Sequence, residues 1–211
     1  MEVSFSSLLI IAVTAIFINN FVLSKFLGIC PYIGVSKSLD SAVGMGAAVI
    51  FVMTMASMVT FVIYKYLLLP DSSIFKVIFN LEQGPDLTFL RTIAFILTIA
   101  SLVQFVEMVV QKTSPALYKS LGIYLPLITT NCAILGVAFL NIDENYNFIA
   151  SIVHGFSAGL GFTIALILMA SIREKLEMAE IPEALKGIPI AFIMAGLMSI
   201  AFLGFSGLSF Q

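Results

Sequence analysis

The chain has 211 residues, of which 60% are hydrophobic and only 10% charged, and its formal net charge is -2. Soluble domains carry about 25% charged residues, so this sequence cannot clothe a water-facing surface of its size. It has no basic excess to hold nucleic acid and no long polar stretch from which a water-soluble domain could be built.

Apolar runs near 20 residues long, each with few charges, mark membrane-spanning helices. The chain, residues 1–211, therefore reads as a single all-α membrane domain. The opening residues MEVSFSSLLI contain no Lys or Arg, and Glu2 has the wrong sign for the basic start of a signal peptide. The first apolar run is expected to remain as a span.

Six spans are expected: within 5–35, near 42–64, near 89–110, near 117–140, near 147–170 and near 188–208. The first run is too long for one straight crossing, since about 20 residues at 1.5 Å each suffice. It also carries Asn19, Asn20, Lys25 and Pro31, and is expected to be tilted, broken or partly re-entrant. The fourth run is interrupted in the same way by Gly122, Pro126 and the triplet Thr129, Thr130, Asn131.

Orientation follows from the basic residues, which favour the cytoplasmic side. Lys37, Lys112, Lys119, Arg173, Lys175 and Lys186 fall on one side, against Lys65, Lys76 and Arg91 on the other. The loops after spans one, three and five are expected in the cytoplasm and both termini outside.

The two halves of the chain carry matching pieces in the same order. CPYIGV at 30–35 pairs with CAILGV at 132–137, SAVGMG at 41 with SAGLG at 157, and IAFI at 93–96 with IAFI at 190–193. Together they suggest a duplicated three-span unit, roughly 5–112 and 116–208. Three is odd, so the second copy would cross in the opposite sense, giving a 3+3 inverted repeat of the kind that builds sites from interrupted helices near the midplane. Cys30 and Cys132, the chain's two cysteines, become one residue seen twice.

Buried cysteine often serves as a small hydrophobe without chemical purpose, and a disulfide in an apolar site away from oxidising machinery is less expected. A metal reading is the third. Two thiolates are half of the four that a [2Fe–2S] cluster needs, and a partner built the same way could bring the rest. Gly34 and Gly136 allow close backbone approach beside them. Residue chemistry alone leaves all three open.

The strings NNFVLSKFLGICPYIGVSKSLDSAVGMG, LRTIAFILTIASLVQFVEMVVQKTSPALYKSLGIYLPLITTNCAILGVAFLN and GIPIAFIMAGLMSIAFLGFSGL resemble the A-type membrane subunits of the Rnf electron-transport complex. Their relatives are the E-type subunits of the sodium-translocating NADH:quinone oxidoreductase, but TTNC, and QFVEMVV followed by KTSPALY, look closer to the Rnf side. The resemblance runs over nearly the whole chain. The connection from Asp71 to Pro85 is longer than the family pattern leads one to expect.

The resemblance implies membership of a multi-subunit translocase, a ferredoxin:NAD+ oxidoreductase that couples electron flow to Na+ or H+ movement across a bacterial or archaeal cytoplasmic membrane. It further implies a paralogous E-type neighbour, packed as an inverted pair, with a [2Fe–2S] cluster held between the two. On this chain the ligands to iron would be Cys30 and Cys132. The B, C, D and G subunits would be further partners, and flavins, the nicotinamide site and the ferredoxin-like clusters would belong to other subunits, so this chain would hold no catalytic residue and no complete active site.

Glu107 lies in the third span with Ser101, Gln104 and Gln111 at three- or four-residue spacings, a polar stripe on an apolar helix. An intramembrane carboxylate is a functional candidate by default, so Glu107 and Gln104 mark a candidate ion pathway; the plainer use is a contact with Lys112 or the interface. A rival of another class is an inverted-repeat secondary transporter with its substrate site at Glu107. Asn19, Asn20, Thr129, Thr130 and Asn131 read as helix support, His154 as an interface residue, GFSAGLG at 155–161 as helix packing, and REKLEMAEIPEALKG as a solvated connection.

Overall fold

The computed structural model describes residues 4–68, 90–113 and 125–206. The connection from Asp71 to Pro85 with Lys76, and Lys119 and Gly122 at the start of the fourth run, lie outside the described residues.

The described residues are helical and contain no β-strand. Helix α1 spans Phe5–Val13 and widens into a π-type turn at Thr14–Ile18. After an irregular segment, α2 covers Ile29–Val35 and α3 covers Leu39–Ile63, again with a π-type turn at Tyr64–Leu68. Next come α4 (Arg91–Thr113), the short α5 (Leu125–Thr129), α6 (Cys132–Asp143), α7 (Phe148–Glu177) and α8 (Ile188–Ser206).

Among the described residues, four helices are long and apolar enough to cross a membrane: Leu39–Leu68, Arg91–Val109, Phe148–Glu177 and Ile188–Phe205. The first and fourth apolar runs supply only the shorter pieces Phe5–Ile18 and Leu127–Asp143. Both are interrupted at their polar residues, at 19–28 and at Thr130–Asn131. The fifth expected span ends at 170, yet α7 continues to Glu177. Hydropathy stops at the apolar edge, while Arg173, Glu174 and Lys175 are good helix formers that carry the helix past it.

Helices α3 and α7 pack along their length and form the centre. Met45, Val49, Val52, Met53 and Ala56 of α3 meet Ala158, Phe162, Ala165, Leu166 and Met169 of α7, all buried. Small residues make this approach possible: a Cβ on Gly159 would lie 2.7 Å from Ile50 Cα, and one on Gly155 would collide with Ser57 Oγ. The GFSAGLG stretch is thus a packing surface. Helices α4 and α8 flank the centre, and only 17% of each apolar window is buried within the chain.

Charged side chains fasten the two ends. At one, Arg173 Nη1 donates to Ile33 O (2.7 Å) and Ser36 Oγ (3.0 Å), and the Leu39 N–H donates to Glu174 Oε1 at 2.9 Å. These bonds tie the α2–α3 elbow, with Lys37, to the last turn of α7. At the opposite end, Arg91 pairs with Asp143 at 3.0 Å and its guanidinium lies 4.5 Å from the Phe139 ring centroid.

Candidate functional site: two interrupted helices with exposed thiols

An unwound segment in an apolar medium leaves N–H and C=O groups that nothing else will satisfy. In 19–28 that work falls to Asn20, which is fully buried. Its Oδ1 accepts from the Val22 and Leu23 N–H groups (3.0 and 3.2 Å), and its Nδ2 donates to Ile16 O and Gly161 O (3.1 and 2.8 Å). Ser24 Oγ donates to Ile18 O at 2.8 Å. Gly161 is about 20 Å along α7, which is about 45 Å long at 1.5 Å per residue, so the first interruption lies beside the middle of α7.

The second interruption is capped from within. Asn131 is the N-cap of α6, and its Oδ1 accepts from the Ala133 N–H at 3.0 Å. Helix support, expected for Asn20 and Asn131, is what both amides provide.

The two interruptions touch. Gly28 N–H donates to Cys132 Sγ at 3.0 Å, across 104 residues of sequence. Gly28 has φ +77°, and a Cβ there would lie 2.7 Å from Phe162 Cε2 and 3.0 Å from Asn131 Oδ1. Only glycine adopts this left-handed conformation without cost and fits such a crevice. Gly136 is also needed small, since its Cβ would meet Leu27 Cδ1 at 2.7 Å. Gly34 is not: the nearest atom to a Cβ there is Leu127 Cδ1 at 3.8 Å, an ordinary contact.

Cys30 is the second residue of α2 and Cys132 the first of α6. Both are free thiols exposed at the surface of the chain, while their neighbours Pro31, Tyr32, Asn131 and Ala133 are buried. Packing as small core hydrophobes does not fit that exposure. Among the described residues no group of three or more His, Cys, Asp or Glu side chains could hold a metal ion. One more group matters here: Asn131 Nδ2 is a buried donor with no hydrogen-bond partner, on the residue next to Cys132.

The stripe on α4 is placed differently. Ser101, Gln104 and Gln111 are exposed, and Glu107 is half-buried, one turn beyond the buried Val103. The exposed members face away from this chain's core.

His154 departs from expectation. It is buried at 7% exposure, and its Nδ1 donates to Asn141 Oδ1 at 2.6 Å. Its partner sits on α6 across the turn, out of reach of any reading of the fifth span alone. In the sequence Gly28 is legible only as the residue two before a cysteine, since its role depends on Cys132 in the other half of the chain.

A sequence model of the family described as Rnf-Nqr subunit, membrane protein, matches residues 8–209. The chain is 57% identical over 202 residues to the A-type subunit of the Na(+)-translocating ferredoxin:NAD(+) oxidoreductase complex of Acetobacterium woodii, covering 96% of this chain and 98% of that one. It is 55% identical over 200 residues to the A-type subunit of the ion-translocating oxidoreductase complex of Serratia proteamaculans, covering 95% and 96%. The corresponding protein of Vibrio cholerae (El Tor Inaba N16961) is 54% identical over 200 residues, again covering 95% and 96%.

Proposed function

The chain belongs to the Rnf-Nqr family of membrane subunits, and from that premise we propose that it relays electrons across the membrane interior of an ion-translocating ferredoxin:NAD+ oxidoreductase. It is a multi-pass membrane protein and one component of a multi-subunit oxidoreductase. The relatives' names favour the Rnf A type over the quinone-reductase relative.

The observation that carries the relay is the junction of the two interruptions. Gly28 N–H bonds to Cys132 Sγ, and the exposed thiols of Cys30 and Cys132 each begin a half-helix. A [2Fe–2S] cluster takes four thiolates, so Cys30 and Cys132 supply two and a paralogous E-type subunit supplies the other two. The residues here suit such a group: exposed thiols suit a shared ligand set, and two N–H donors lie close by. One is Gly28 N–H. The other is Asn131 Nδ2, which is buried and unpartnered, and a donor in that state calls for an acceptor. The N-terminal end of α6 also favours negative charge at Cys132. When bound, the cluster would take and release one electron at a time, with its potential tuned by burial and by hydrogen bonds to sulfur.

The order of elements supports the inverted repeat. Each half has an interrupted helix, a long helix and a peripheral helix: α1/α2, α3, α4, then α5/α6, α7, α8. The charge bias supports termini outside the cytoplasmic membrane, with Lys37, Lys112, Arg173, Lys175 and Lys186 at the inner end. The B, C, D and G subunits would hold the flavin, nicotinamide and ferredoxin-like centres, and Na+ or H+ would be the coupled ion. Glu107, with Gln104 beside it, is a candidate contact for that ion on α4. Glu107→Gln should then weaken the ion dependence of electron flow while iron content stays unchanged.

The test of the relay is iron, acid-labile sulfide and EPR after dithionite reduction, on this chain co-expressed with its paralogous partner. A [2Fe–2S] signal lost in both Cys30→Ser and Cys132→Ser is the expected result. A well-folded pair without iron would sink the proposal.

A further inference from the structure

Between α1, the first interruption and the α6–α7 turn lies a cavity of about 250 Å³ that the electron relay does not use. Six of its ten lining residues, Thr14, Asn19, Lys25, Glu144, Tyr146 and His154, are polar or titratable, a high share for a chain of this composition. Glu144 and Tyr146 belong to the turn between α6 and α7, at the end the charge bias assigns to the outside. His154 is about 9 Å along α7 from that end.

The surroundings call for water. Asn141 gives its Oδ1 to His154, but its Nδ2 has no partner, and Ser151 Oγ, one turn before His154 on α7, has none either. Asn141 is 2% exposed and Ser151 fully buried. Neither lines the cavity itself, but both lie next to His154, which does: Asn141 through its hydrogen bond and Ser151 one turn away on α7. Polar cavities with unpaired polar atoms in the layer behind them are where internal water is found. Lys25 and Glu144 both line the space without forming a direct ion pair, and the Lys25 ammonium lies 5.5 Å from the Phe21 ring centroid. Opposite charges in an apolar chain are expensive unless paired or solvated.

We propose that this cavity is a water-filled vestibule, open at the Glu144 end, that admits small hydrated ions as far as the Lys25 ammonium. Lys25 stands in the same interruption as Gly28, whose N–H reaches Cys132 Sγ. The vestibule thus brings the outer aqueous phase to the segment that carries the relay site. Its use as the outer approach for the coupled ion rests on the ion-translocating reading above; its being wet does not.

The experiment uses the intact complex in right-side-out membrane vesicles, with single substitutions Thr14→Cys and Val13→Cys and the membrane-impermeant cationic reagent MTSET. The unsubstituted complex gives the background from all native cysteines. Thr14 lines the cavity, whereas Val13, one residue away, is 41% exposed on the outer face of α1. The thiolate attacks the reagent's sulfenyl sulfur and expels methanesulfinate, and thiolate forms in water and not in hydrocarbon, so Thr14→Cys should react at least about tenfold faster than Val13→Cys. Asn19→Cys should behave like Thr14→Cys and stands in if that variant fails to assemble.

Equal rates at 13 and 14, or silence at 14 and 19, would overturn the vestibule. Reaction at 14 only in inverted vesicles would keep the vestibule and overturn the orientation. Lys25→Met should raise the rate of MTSET relative to the anionic reagent MTSES several-fold; an unchanged ratio would overturn the role given to Lys25. None of these readouts needs the cluster, so failure here is distinguishable from failure of the relay.

Discussion

Asn20 satisfies four backbone groups with one side chain, and it does so at the centre of an apolar molecule. Asn20→Leu would fit the apolar setting but leave the Val22 and Leu23 N–H groups without acceptors. At ~1–3 kcal/mol for each buried unsatisfied group, the variant should lose at least ~2 kcal/mol, read as a lower melting temperature of the purified complex. Gly28 invites a sharper test. Gly28→Ala adds a left-handed penalty of ~1–2 kcal/mol and a contact with the Phe162 ring, so iron content should fall while the chain still reaches the membrane. Phe162→Leu in the same chain should recover part of the iron, because it relieves the clash but not the strain. At this scale the sequence is informative wherever a polar residue breaks an apolar run, as at Asn20 and Asn131. It is silent on the partners of Gly28 and His154, since Cys132 and Asn141 are brought to them only by the folded chain.

Helices α3 and α7 meet through glycines, so their interface should punish added volume where the facing atom is backbone. Gly159→Leu would press on Ile50 Cα, 2.7 Å from the new Cβ, and overpacking of this kind costs about 1–3 kcal/mol. Gly34→Ala in α2 should do the reverse: its Cβ meets only Leu127 Cδ1 at 3.8 Å, and alanine favours helix by up to ~1 kcal/mol over glycine. Thermal melts of the two variants should move in opposite directions. The elements themselves are largely readable from hydropathy, including both interruptions. Their ends are not, as α7 shows, because a charged helical turn has no apolar signature. The π-type turns at Thr14–Ile18 and Tyr64–Leu68 also leave no trace in the pattern of side chains.

The molecule as a whole buries α3 and α7 well and leaves α4 and α8 mostly uncovered. In lipid an uncovered apolar face is no liability, whereas the proposed relay assigns the exposed thiols of the two half-helices to an interface with the paralogous subunit. Co-expression with the paralogous partner should protect Cys30 and Cys132 from alkylation, and each should be readily modified when this chain is made alone. By contrast, the Arg91–Asp143 pair is partly exposed on both sides, and pairs of that kind contribute about 0–1 kcal/mol. Asp143→Asn should leave assembly and melting temperature almost unchanged.

Helix α7 holds both interrupted runs. Gly161 O receives Asn20, Phe162 backs Gly28, His154 holds Asn141 on α6, and Arg173 and Glu174 hold the elbow after α2. The segments that carry the two thiols are therefore both bonded to one helix. A long helix meets a thicker or thinner bilayer by changing its tilt, and here such a tilt would carry Cys30 and Cys132 together. The spacing between them is thereby insulated from the thickness of the lipid around the protein, so a change of growth temperature or fatty-acid composition would reorient the pair without pulling it apart.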